Sequence, residues 1–177
     1  MKKLYRFCIA HLTVAVILCL LSGCQKKIYS CPFTTITWQN TLDDIMDLEG
    51  DPQESYDSVY GGTTYTFPKE YNELQGTVKY MFDESERLVC ISWMYQCSDS
   101  EELNAVYEKL HSEAENALGK SGYEYNTAQF ADAAPFNDVW YLESGNIVFN
   151  TVDTNDVKIL QYTFLHPDVS EERPQKN

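Results

Sequence analysis

Thr77-Val78-Lys79-Tyr80-Met81-Phe82, Asp83-Glu84-Ser85-Glu86 and Arg87-Leu88-Val89-Cys90-Ile91-Ser92-Trp93-Met94-Tyr95-Gln96 form the continuous stretch on which the fold turns. Val78, Tyr80 and Phe82 alternate onto one side, Val89, Ile91, Trp93 and Tyr95 do the same, and a polar turn separates the two runs. Alternation with a period of two around such a turn predicts an antiparallel hairpin. The period then changes. Ser98 and Glu101 stand at capping-box spacing ahead of Leu103, Val106, Tyr107, Leu110, Ala114, Ala117 and Leu118, and Gly119 and Gly122 close the run. That apolar stripe at helical spacing predicts an amphipathic helix with one buried face.

Working outward, Thr41 and Asp44 cap a short helix from about 42 to 49 that carries Leu42, Ile45 and Met46 and stops at Gly50 and Pro52. Thr63 to Phe67 reads as a strand. Beyond a polar, irregular stretch from about 123 to 137, further strands are expected at 139–142, 147–151 and 157–164, joined by Ser144-Gly145 and Asp153-Thr154-Asn155-Asp156. The expected class is α+β: an antiparallel sheet covered on one face by two helices. The order helix, three strands, helix, three strands suggests a tandem repeat, with halves near 37–97 and 98–166 of one domain spanning 35–166. Residues 167–177 read as a frayed tail.

The N-terminus carries a different kind of information. Lys2, Lys3 and Arg6 precede an apolar run from Cys8 to Leu21, the layout of a secretory signal, with an unbroken core too short to span a bilayer. Leu21-Ser22-Gly23-Cys24 then resembles the lipobox of bacterial lipoprotein signal peptides. The expectation is a signal peptide at 1–23, cleavage after Gly23, a diacylglycerol anchor with palmitate-type chains on Cys24, and a tether over 24–34. Two or more acyl chains hold a protein on a membrane durably, so the body would sit outside the cytoplasmic membrane. Gln25 is not the aspartate that would indicate inner-membrane retention in a two-membrane cell.

Charge and chemistry narrow the function. Removal of 1–23 takes three basic residues and no acid, moving the net charge from −14 to −17, a balance that argues against nucleic-acid partners. Of six cysteines, Cys31, Cys90 and Cys97 remain in the body. Cys90 and Cys97 lie on one expected strand and fall on opposite faces, which leaves Cys31 free to pair with either or with neither. His111 and His166 have no second histidine or cysteine at ligand spacing, so no metal site and no cofactor are expected. No Gly-x-Ser-x-Gly elbow accompanies them. The acids Asp43, Asp44, Asp47, Glu49 and Asp51 fit a solvated, capped helix better than a calcium loop.

Thr41-Leu42-Asp43-Asp44-Ile45, Leu48-Glu49-Gly50-Asp51-Pro52, Thr64-Tyr65-Thr66-Phe67, Val78-Lys79-Tyr80-Met81-Phe82-Asp83 and Arg87-Leu88 together resemble the SmpA/OmlA domain family. The resemblance implies a small envelope lipoprotein without enzymatic activity. The tandem plan also resembles secreted β-lactamase inhibitor proteins, which implies partner binding on a sheet face. Aromatic residues appear in surplus over what two helices can cover. Tyr65, Tyr80, Trp93, Tyr95, Trp140 and Tyr162 are therefore expected on an open face that binds an unidentified envelope protein. The alternative expectation is a small ligand held between the sheet and the loop 123–137.

Overall fold

The computed structural model describes residues 30–124, 137–170 and 172. Helix α1 (Leu42–Glu49) precedes strands β1 (Glu54–Asp57), β2 (Gly61–Tyr71), β3 (Leu74–Asp83) and β4 (Leu88–Cys97). Helix α2 (Ser100–Leu118) precedes β5 (Tyr123–Glu124), β6 (Asn137–Trp140), β7 (Asn146–Asp153) and β8 (Lys158–Leu165). The chain is α+β, and each helix is followed by four strands rather than the three expected. Among the described residues, eight strands join one sheet in the order β1-β2-β3-β4-β8-β7-β6-β5, every pairing antiparallel.

Local chemistry sets the element ends. Thr41 and Asp44 form the expected reciprocal capping box on α1. On α2 the cap is Asp99, one residue later than expected, accepting from Glu102 N at 2.9 Å. β2 and β3 run past their expected ends to a two-residue turn, Asn72-Glu73, with both φ angles positive (52° and 67°), the geometry that matches strand twist in tight hairpins. Pro68 sits inside β2. The carbonyl of Thr66, of the same parity, accepts from Gln53 N on the β1 side, so the nitrogen of Pro68 faces that side, beyond the end of β1. No ladder bond is lost there.

Register decides what is buried. Phe67, Val78, Trp93, Tyr162, Phe149 and Asp138 lie opposite one another across six neighbouring strands, and Tyr65, Tyr80, Ile91, Phe164, Ile147 and Trp140 form the adjacent row. A bulge opposite Met81–Phe82 puts Leu88 beside Phe82 and takes Val89 out of the expected row. Helical side chains meet this same set of residues. Ile45 of α1 and Leu103, Tyr107, Leu110 and Ala114 of α2 belong to one buried cluster with them, and the Tyr107 ring lies 5.3 Å from that of Phe149.

Two helices about 10 Å thick cannot fill a sheet whose eight strands, about 4.8 Å apart, span roughly 34 Å. Residues 31–38 take up the difference. Phe33 packs edge-on to Tyr71, Tyr162 and Phe164, each 5.8 Å away, and Ile36 is buried beside it. Residues 31–34, read as the end of a tether, thus join 35–38 in a strap across the core. At the other end, Pro167–Val169 form a 3₁₀ turn held by Ser170 Oγ on the carbonyls of Leu165 and His166. The first residues assigned to the tail therefore form a hydrogen-bonded turn, with Pro167 and Asp168 exposed.

Candidate docking face

The side chains on the opposite surface of the sheet differ in kind. One row reads Thr66, Lys79, Ser92, Thr163, Val148 and Val139 across β2, β3, β4, β8, β7 and β6. The next reads Pro68, Thr77, Met94, Gln161 and Asn150, followed by Gln96, Ile159 and Val152. Lys79 is the only formally charged side chain in these rows, in a chain with 27 acidic and 13 basic residues. Carboxylates stand at the margins: Glu54 on the edge strand, Glu70 and Asp83 at strand ends.

Contacts within the surface hold its polar groups in place. Ser92 Oγ and Thr163 Oγ1 share a hydrogen bond of 2.7 Å, Asn150 Nδ2 donates to Gln161 Oε1 at 3.3 Å, and Gln161 Nε2 donates to Met94 Sδ at 3.3 Å. Lys79 Nζ lies over the Tyr56 ring, 5.7 Å from its centroid, and so keeps a partner without a carboxylate. The Tyr60 hydroxyl and the Cys90 thiol influence each other electrostatically. Burial pushes that thiol up to about 12 and, followed by the effect of the adjacent sulfur, raises Tyr60 to about 12 as well.

The six aromatics expected to meet a partner lie on the other side. Tyr80 and Trp93 are fully buried, Tyr95, Trp140 and Tyr162 nearly so, and Tyr65 is half-buried. Their polar atoms face inward. Tyr80 Oη donates to Glu49 Oε1 at 2.8 Å, Trp93 Nε1 to the Lys69 carbonyl at 3.0 Å, Trp140 Nε1 to the Gly119 carbonyl at 2.7 Å, and Tyr95 Oη to Glu102. The expectation that they form an open aromatic face is corrected: within each strand they share one parity, and that parity faces the helices and the strap. What the sequence reading missed was the opposite surface, whose signal is the scarcity of charge at the alternate positions of the same strands, Lys79 alone interrupting their middles.

Gly23 and Cys24 lie outside the described residues, as does most of the loop 123–137. Cys31, Cys90 and Cys97 are all free thiols. His111 Nε2 is 3.2 Å from Asp138 Oδ2, which also accepts from Tyr107 Oη at 2.5 Å, while Ser121 Oγ donates to Asp138 Oδ1 at 2.8 Å. Serine and histidine therefore share the carboxylate and do not bond each other, and burial raises the Tyr107 hydroxyl. Among the described residues no cluster of metal-ligating groups occurs and no helix is long and apolar enough to cross a membrane. Compared with known proteins, the chain matches no family model, no curated protein and no solved structure.

Proposed function

We propose that this chain is a lipid-anchored, non-enzymatic protein of the bacterial envelope that binds another protein through the sheet surface opposite its helices. The lipobox-like Leu21-Ser22-Gly23-Cys24 supports the anchor and an extracytoplasmic location. The observation that carries the docking role is a surface whose rows hold a single charged side chain, Lys79, on a strongly acidic chain. The buried cluster that unites both helices, the strap and one set of strand residues supports a single covered face, and the pairing of β4 with β8 supports the tandem-repeat reading. The face left over is built of hydroxyls, amides, methionine and valine. It presents hydrogen-bonding groups that are already oriented, at low desolvation cost.

Complementarity fixes the kind of partner. A mostly uncharged patch bordered by Glu54, Glu70 and Asp83, on a chain of net charge −14, suits a protein whose own mostly uncharged patch is bordered by lysine and arginine. A photo-reactive side chain at Gln161 in the native envelope should give an adduct that one at Asn104, exposed on α2, does not. The pair Val148→Arg and Thr163→Arg should abolish that adduct, and raising ionic strength should weaken it as the border charges are screened. Equal adducts from both positions, or one that survives the arginine pair, would end the docking reading. Separately, Cys24→Ser should move the protein from the membrane to the soluble fraction, and unchanged fractionation would remove the anchor.

A further inference from the structure

The strap fills most of the gap between the two helices, and at one end it leaves a cleft. The space measures about 370 Å³ and lies between the strap, the β6–β7 turn and the ends of β4 and β8. Ile36, Trp38, Ile91, Leu142 and Phe164 supply apolar walls, and His166 lies at its border. Protein interiors rarely keep voids larger than a water molecule, and clefts of this size belong to the range that holds small ligands. None of the surrounding residues is Asp, Glu, Lys or Arg, although 23% of the chain is.

The walls are fixed by bonds that would not yield to collapse. Trp38 Nε1 donates to the Ser144 carbonyl at 3.0 Å, tying the strap to the β6–β7 turn. Gly145 in that turn has φ +118°, and a Cβ there would lie 2.0 Å from the Leu165 carbonyl oxygen, so only glycine lets the turn approach β8 so closely. His166 is held three ways: its backbone N–H on Val89 O at 2.8 Å, its ring edge-on to Trp38 at 5.4 Å, and its Nδ1 accepting from Asp168 N at 3.1 Å. Because Nδ1 accepts from the Asp168 amide, Nε2 is the ring nitrogen left to donate, and His166 borders the cleft.

We propose that this cleft binds an uncharged, mainly apolar small molecule of ring or short-chain size, with a hydrogen-bond acceptor such as a carbonyl that meets Nε2–H of His166. An anion would face a strongly acidic chain with no cation in the cleft, and a cation would lose its hydration with no carboxylate to replace it. An apolar body recovers the burial that the five apolar side chains lack when solvated.

The test uses 2-acetylnaphthalene, an uncharged aromatic ketone, titrated into the full ¹⁵N-labelled chain in nonionic detergent while the three indole N–H resonances are followed. Trp38 should shift to saturation, while Trp93 and Trp140, bonded to the Lys69 and Gly119 carbonyls, should stay in place and report an intact fold. Leu142→Trp, which fills the cleft, should abolish the saturable shift. His166→Phe, which keeps a ring against Trp38 but removes the donor, should weaken binding about fivefold to tenfold, the usual scale of one neutral hydrogen bond. No saturable shift at Trp38, equal shifts at all three indoles, or full affinity in Leu142→Trp would overturn the proposal. If Leu142→Trp disturbs Trp93 and Trp140, His166→Phe decides alone, and unchanged affinity there rejects the site.

Discussion

Glu49 shows how a single residue departs from its local reading. In the sequence it is one of five acids on a helix that looks solvated, yet its side chain is 5% exposed and takes two bonds from Lys69 Nζ, at 2.7 and 2.9 Å, and a third from Tyr80. Tyr80 Oη in turn accepts from Thr34 Oγ1 at 2.9 Å, so α1, β2, β3 and the strap are linked through one buried network. Burial raises the Tyr80 hydroxyl and keeps it a donor. Removing one member of such a pair strands the other without solvent. Lys69→Met should therefore cost about 3 kcal/mol in urea denaturation, and Glu49→Leu combined with Lys69→Met should recover most of that. Equal losses in the single and double variants would show that Glu49 is hydrated. Thr41 and Asp44, three positions apart, were legible because their partner is local; Glu49 and Lys69 were not, because twenty positions and a change of element separate them.

At the scale of elements, the strands with alternating apolar residues were legible and the edges were not. β1, Glu-Ser-Tyr-Asp, is exposed along its whole length, so it lacks the one-sided burial that makes a strand visible in sequence. The β2–β3 turn was hidden for another reason: Asn-Glu is a poor advertisement for a tight turn that usually carries Asn-Gly. Glu73 is exposed at φ 67°, in the left-handed region that disfavours a side chain. Glu73→Gly should raise stability by about 0.5–1 kcal/mol, the relief of strain partly offset by the freer unfolded chain. Thermal unfolding checks it, and a lower melting temperature would mean that the glutamate compensates its backbone. The strap was misread for lack of periodicity: Phe33, Ile36 and Trp38 follow no helical or strand spacing, so nothing local announced that they cover aromatic rings.

For the whole molecule, the α+β class was legible from periods alone, whereas the assignment of faces was not. Setting two helices against the surplus of strand aromatics implied an overflow onto open surface, whereas Phe33 of the strap packs on Tyr71, Tyr162 and Phe164. Net charge acts at this scale too. With −14 distributed over one chain, self-repulsion opposes the compact state and salt relieves it. The melting temperature should rise by a few degrees between about 20 and 500 mM sodium chloride; a fall would show that attractive pairs such as Arg87–Asp168 outweigh the repulsion.

The strand order has a consequence in time. β4 and β8 are neighbours in the middle of the sheet, yet Cys97 leaves the ribosome well before Lys158. At roughly 5–20 residues per second, several seconds pass in which Leu-Val-Cys-Ile-Ser-Trp-Met-Tyr shows an unmated row of amides. During that interval the half-made chain is a template for its own kind, and a holding chaperone would be its natural escort until the last strand arrives to shut the seam.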